Sequence, residues 1–247
     1  MNEPVVFIGG FGSNWKDYRV VTRHLARVSG RRVFIADIAR PTWYWASMTS
    51  YWLLVHRANR ALQHALQETG ASRAILVGHS AGGLVGRALI ADRLEKGHQP
   101  AFGAHKRVSR FITLGSPLRA NADHQHPGLR RAAWLDREYP GAYYAPEVQY
   151  LCVAGKYIEG KAEGTPQERV AYSKYEFISG NGAQWGDGVV PLSMCWLDGV
   201  PYLEIDGMGH SPGWGRWYLH DEVCVRQWWG YFEEGDAPAH DFGRMMV

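Results

Sequence analysis

No stretch of this chain approaches the roughly 20 consecutive apolar residues that a membrane-spanning helix needs, so a protein that crosses a bilayer on helices is excluded. Cysteine is scarce: Cys152, Cys195 and Cys224 are the whole supply. An odd number without close spacing argues against a disulfide framework and against a zinc knuckle, and leaves buried free thiols as the expectation. Lys and Arg never form a long run, and the formal net charge is only +3. A phosphate-tracking face, and with it a nucleic-acid partner, is therefore not expected. There is no repeat, no low-complexity tract and no linker, so the 247 residues fit a single domain. The opening Met1-Asn2-Glu3-Pro4 carries neither a basic leader nor a small-residue cleavage site, from which a cytoplasmic location is expected.

What the chain does have is alternation. Apolar runs of strand length begin at Val5-Val6-Phe7-Ile8 and recur at about 32–38, 73–78, 108–114, 148–154 and 202–205. Helical stretches are expected between and after them, at about 15–28, 48–69, 81–96 and 216–232. Apolar strands separated by helices imply a parallel sheet covered on both faces. In such sheets ligands bind beyond the carboxyl ends of the strands. Two segments break the alternation. Residues 118–146, with Pro127, Pro140 and Pro146, are expected to form a cap or lid over the site. Residues 155–186 read as a loop excursion that holds a hairpin, and residues 235–247 as a loose tail.

Gly78-His79-Ser80-Ala81-Gly82-Gly83 follows one apolar run and opens a helical one. In that context Gly-x-Ser-x-Gly is a nucleophile elbow. The turn is so tight that the serine takes a strained backbone conformation, and the residues two before and two after it must lack bulk. The hydroxyl of Ser80 then stands at a helix N-terminus, whose amides favour negative charge. A phosphate-cradling loop is disfavoured, since no Lys follows the glycines. His79 is expected to pack rather than react.

A serine hydroxyl needs a base to take its proton. Among eleven histidines, His210 stands out, because Gly207-Met208-Gly209-His210-Ser211 directly follows the last strand-like run; His220 is its main competitor. The acid that orients the base is expected at Asp187, in the Gly-flanked Gly186-Asp187-Gly188-Val189-Val190-Pro191, with Asp198 and Asp206 as alternatives. The oxyanion needs two donors. One is the Ala81 N–H, next to the nucleophile. The other is expected at Phe11 N–H, in the loop Gly9-Gly10-Phe11-Gly12-Ser13.

Together these motifs resemble the α/β-hydrolase superfamily in its lipase and esterase branch, over most of the chain. His79 ahead of the serine is similar to the elbow of bacterial lipases. Leu114-Gly115-Ser116-Pro117 resembles the Leu-Gly-Ser/Thr-Pro stretch that lipases carry after the next strand, and the segment around Asp187 resembles their acid loop. The opening is similar to hydrolases related to GPI inositol deacylases. Where many lipases have His-Gly before the oxyanion residue, this sequence has Gly9-Gly10. The resemblance implies the α/β-hydrolase fold, no cofactor, and a serine-dependent carboxylic ester hydrolase that works through an acyl-enzyme on Ser80; some members carry a structural calcium or zinc, for which this sequence shows no convincing ligand set, so no metal is expected.

Aromatic residues supply the substrate expectation. Eleven Trp and thirteen Tyr are many for this length. Trp43 and Trp45 follow the second strand-like run, and Trp214 follows His210. They are expected to line the substrate site, where Trp and Tyr walls hold acyl chains or meet a lipid surface in transient contact. Short- to medium-chain acyl esters are the expected substrates, with lipids or polyesters within range. An acyltransferase on the same three residues, and a non-catalytic binding protein that keeps the fold, are the rival expectations.

Overall fold

The computed structural model describes residues 3–49, 51–94, 101–119, 124 and 126–232. The first strand is an inner one. β1 (Val5–Ile8) pairs on one side with β2 (Val33–Ile35) and on the other with β3 (Ala74–His79). Beyond β3 lie β4 (Val108–Leu114), β5 (Gln149–Lys156) and, after the hairpin strands β6 (Ile158–Glu159) and β7 (Trp185–Gly186), the edge strand β8 (Tyr202–Asp206). The order is β2-β1-β3-β4-β5-β8, and every pairing is parallel. All four residues of β1 and all six of β3 are buried, as expected of strands covered on both faces.

The alternation of side chains divides the core. Val5 and Phe7 join Leu25, Val225 and Trp228 on one face, while Val6 and Ile8 join Leu54, Leu62 and Leu84 on the other. Helices α1 (Thr22–Ser29) and α7 (Glu222–Trp229) cover the first face. Helices α3 (Trp52–Thr69) and α4 (Ala81–Ile90) cover the second. The chain winds outward from β1 to β2, then returns across β1 to β3, so the direction of winding reverses between β1 and β3. Such a reversal opens a crevice at the carboxyl ends of the two strands. The loop after β1 and the turn after β3 both emerge there, because Ile8 is in register with Gly78.

The helices differ from the periodic pattern in instructive ways. The expected helix over 15–28 is a short 3₁₀ turn (Trp15–Tyr18), capped by Asn14, followed by α1. The expected helix over 48–69 is α3 alone; a separate α2 (Arg40–Met48) precedes it, with Pro at its start, and ends where Thr49 Oγ bonds to the Trp45 carbonyl at 2.8 Å. Helix α4 stops at Ile90, because Ala91 is extended; Lys96, where a longer helix was expected to end, is outside the described residues. The last helix starts only at Glu222, since Asp221 caps it through the Cys224 N–H at 2.8 Å. Residues 155–186 hold the expected hairpin, β6 with β7, and also α6 (Pro166–Ser179). A capping box of Thr165 and Glu168 starts that helix. The expected tail over 235–247 is outside the described residues.

Within 118–146 the structure places α5 (Pro127–Glu138), which buries Leu129, Ala132 and Leu135. Its anchor is Arg87 of α4. This buried guanidinium donates to the carbonyls of Leu118, Leu135 and Tyr139 and pairs with Asp136 at 3.6 Å. The three cysteines are free and buried. Among the described residues no helix is long and apolar enough to cross a membrane.

Candidate active site

Ser80 sits at φ 54° and ψ −129°, the one non-glycine with positive φ among the described residues. Such a conformation costs on the order of 1–3 kcal/mol and persists only where the surroundings impose it. The constraints are visible. Ser80 N–H bonds to the Leu114 carbonyl at 2.9 Å. A Cβ on Gly82 would lie 2.3 Å from the Ile8 carbonyl oxygen, and one on Gly78 2.6 Å from Gly83 Cα. Ser116, of the Gly-Ser-Pro stretch after β4, is buried behind the elbow, where its hydroxyl bonds to the Gly78 carbonyl at 3.3 Å.

The structure brings Asp187 and His210 into contact. His210 Nδ1 donates to Asp187 Oδ2 at 2.7 Å, and His210 N–H donates to the Asp187 carbonyl at 2.8 Å. The carboxylate is fully buried, which would be costly without partners. It has four: the His210 ring, the Tyr218 hydroxyl on the same Oδ2 at 3.0 Å, and the Val189 and Val190 N–H groups on Oδ1 at 3.0 and 2.8 Å. An ionised carboxylate only accepts, so the ring proton is on Nδ1 and the lone pair of a neutral ring is on Nε2. Among the described residues neither Ser80 Oγ nor His210 Nε2 makes a hydrogen bond. The competing residues lie elsewhere. Asp198 is exposed and pairs with Arg119, while Asp206 and His220 are exposed.

Two backbone N–H groups near Ser80 have no acceptor among the described residues. Ala81 opens α4, where N–H groups have no intrahelical acceptor, and Phe11 N–H bonds to no described group. The neighbouring Gly10 N–H is already taken, by the Tyr18 hydroxyl at 3.0 Å. A Cβ on Gly10 would meet Ser80 Cβ at 2.9 Å, which shows how closely this loop passes the nucleophile.

Several residues of the site have no sequence signal of their own. Tyr18 and His79 bond to each other at 3.0 Å, and His79 Nε2 donates to the His210 carbonyl at 2.9 Å. Burial, reinforced by His210, holds the His79 ring well below the usual histidine range, so it stays neutral. Tyr218 accepts from Gly155 N–H while it donates to Asp187, and burial beside that carboxylate pushes its phenol well above the ordinary range. Tyr175 supports the acid loop from α6 by accepting from Gly188 N–H at 2.8 Å.

The aromatic residues divide into two roles. Trp43 is a core side chain, 1% exposed, whose ring edge meets Phe11 at 6.1 Å. Trp45 is 57% exposed on the outer surface of α2. Trp214 lies over the acid and base loops: a Cβ on Gly188 would be 2.3 Å from its ring and one on Gly209 2.9 Å from its Cβ. A different aromatic set gathers around Phe11. Phe11 packs edge-on to Tyr44 at 5.2 Å and to His126 at 6.4 Å, and His126 packs on Phe177 at 5.9 Å. Among the described residues no group of three or more His, Cys, Asp or Glu side chains is placed to hold a metal ion.

A parallel sheet with helices on both faces, a strained serine between strand and helix, and a later Asp–His pair define the class of α/β hydrolases. The family model for the alpha/beta hydrolase fold matches residues 3–153, more than half of the chain, and the protein belongs to that family. Among solved structures, the lin2722 gene product of Listeria innocua is similar, at a TM-score of 0.55 and 15% identity over 96% of each chain. Phospholipase PlaB of Legionella pneumophila is similar at 0.52 and 15% identity, over 78% of this chain and 45% of PlaB. At these identities the likeness is one of fold. A comparison with curated proteins finds no match.

Proposed function

We propose that the protein is a serine-dependent carboxylic ester hydrolase. The observation that carries this is the buried pair of Asp187 and His210, 2.7 Å apart, which fixes the base in the tautomer that can deprotonate a serine. Ser80 Oγ attacks the ester carbonyl as His210 Nε2 takes its proton. The carbonyl oxygen becomes an oxyanion facing the N–H groups of Phe11 and Ala81. As the intermediate collapses, the C–O bond to the alcohol breaks and His210 returns the proton to the leaving oxygen. Water, deprotonated by the same ring, then attacks the acyl-enzyme, and Ser80 leaves with its proton restored. Each lost oxyanion donor costs about 2.7–4 kcal/mol of transition-state stabilisation.

The rim of Phe11, Tyr44, His126 and Phe177 supports short- to medium-chain acyl esters, because an apolar wall beside the nucleophile removes acyl methylenes from water. Phe11 and Phe177, 46% and 55% exposed, would also suit transient contact with a lipid surface. Helix α5, whose first turn carries His126 as its cap, serves as the cap over this mouth. Fluorophosphonate labelling of Ser80, read by mass spectrometry, tests the nucleophile. Hydrolysis of p-nitrophenyl butyrate and octanoate tests the substrate class, and inertness toward both would overturn it.

A further inference from the structure

The oxyanion loop and the base are tied together by a buried chain of hydrogen bonds. Gly10 N–H meets the Tyr18 oxygen at 3.0 Å, Tyr18 meets His79 Nδ1 at 3.0 Å, and His79 Nε2 meets the His210 carbonyl at 2.9 Å. Tyr18 and His79 are 6% and 3% exposed. The direction of every bond follows from its ends. A backbone N–H can only donate, so the Tyr18 oxygen accepts from Gly10. A carbonyl can only accept, so His79 carries its proton on Nε2. A neutral imidazole with that proton is an acceptor at Nδ1, so the Tyr18 hydroxyl proton points there. With the ring neutral, no other assignment satisfies all three bonds.

We infer that Tyr18 and His79 are positioning residues, a strut that sets the Phe11 donor and the His210 ring at a fixed separation across Ser80. Three surroundings make the strut stiff. The Gly10 carbonyl is held by Ser13 Oγ at 2.6 Å. The His210 backbone is held at its other end by the Asp187 carbonyl. The His79 ring packs at 4.8 Å from the His210 ring and 5.6 Å from Trp217. Because Gly10 N–H is engaged by the strut, the oxyanion site is restricted to Phe11 and Ala81. The titratable groups facing the ring are Tyr18, His210 and Tyr218. Among the described residues no carboxylate bonds to it, and burial together with the nearby His210 outweighs the bond to the His210 carbonyl, so the ring stays neutral.

The catalytic consequence rests on the ester-hydrolase proposal, but the strut itself can be tested without turnover. Long-range ¹H–¹⁵N spectra should show His79 as the neutral, Nε2-protonated tautomer from pH 5 to pH 9. A ring that titrates in that range, or carries its proton on Nδ1, overturns the strut whether or not the protein cleaves esters. The second measurement is kcat per titrated active site for Tyr18→Phe, His79→Leu and His79→Gln, so that misfolded protein is not counted. Tyr18→Phe and His79→Leu should each lower kcat at least tenfold with KM within twofold, and the double variant should fall no further than the worse single one. His79→Gln, which keeps a donor and an acceptor, should recover most of the loss. Single variants that stay within twofold of the parent per active site, or losses that simply multiply in the double variant, overturn the positioning role. Failure of Ser80 to label with a fluorophosphonate would sink the ester-hydrolase proposal and leave the spectroscopic result standing.

Discussion

Tyr218 and His210 donate to the same oxygen of Asp187, a fully buried carboxylate. Tyr218 also accepts from Gly155 N–H, so its hydroxyl joins β5 to the acid loop. In Tyr218→Phe that N–H loses its acceptor and Asp187 loses a donor. The expected cost is about 1–3 kcal/mol of stability, read as a lower urea midpoint at an unchanged slope. Activity should fall by roughly tenfold, much less than on loss of the acid itself, because the bond from His210 is kept. A variant as stable and as active as the parent would show that Asp187 is held adequately without Tyr218.

Asp187→Asn leaves a side chain of the same shape that offers an N–H where the ring offers one too. The imidazole is then held in the wrong tautomer, with its Nε2 proton facing Ser80. A loss on the order of 10⁴ in kcat is expected, with KM little changed. Ser80→Ala should abolish both turnover and fluorophosphonate labelling. Product analysis with an added alcohol separates hydrolysis from acyl transfer: an ester product that outcompetes the acid at millimolar alcohol would move the assignment to a transferase.

The neutral burial of His79 has a sign that can be checked. Its folded pKa is well below the value of about 6.5 expected in the unfolded chain. Between those two values the unfolded state binds a proton that the native state does not. Stability should therefore be unaffected above about pH 7 and should fall as pH drops below it, by up to about 1.4 kcal/mol per pH unit from this group. Unfolding free energies from pH 8 to pH 5 should show a shallower slope in His79→Gln than in the parent. Equal slopes would mean that the ring is protonated in the folded protein.

The aromatic rim predicts a chain-length effect. Tyr44→Ala and Phe177→Ala remove apolar wall at the mouth without touching Asp187 or His210. Both should lower kcat/KM for octanoate by about tenfold and for butyrate by less, since each buried methylene is worth about 0.8 kcal/mol. Equal losses on the two esters would place the acyl chain elsewhere.

The sequence carries the chemistry-bearing positions because each follows a strand and is flanked by glycines that the geometry demands. Gly82 has the Ile8 carbonyl against it, and Gly188, at φ 99°, has the Trp214 ring. Such positions leave a local mark. The supporting residues leave none. Tyr18 meets His79 across 61 positions and His79 meets His210 across 131, so a histidine read as packing turns out to bond through both ring nitrogens. The aromatic expectation was drawn from density in the sequence. Burial separates the members: Trp43 is core, Trp45 faces outward and Trp214 covers the acid loop, while Phe11, Tyr44, His126 and Phe177 meet from four distant segments. Helix α6 has a local signal that composition masks. Thr165-Pro166-Gln167-Glu168 is a capping box with Pro at the first helical position, hidden in a stretch whose Gly and Lys content suggested a loop.

Arg87 gives the fold a mechanical property. Its guanidinium is on the helix that begins beside Ser80, and it grips Leu135 and Tyr139 at the far end of α5 as well as Leu118 before it. The C-terminal end of α5 is thereby tied to the helix that Ser80 opens, while its N-terminal end rests on aromatic contacts of His126 with Phe11 and Phe177. A change that loosens residue 87 would disturb α5 and the Ser80 turn together.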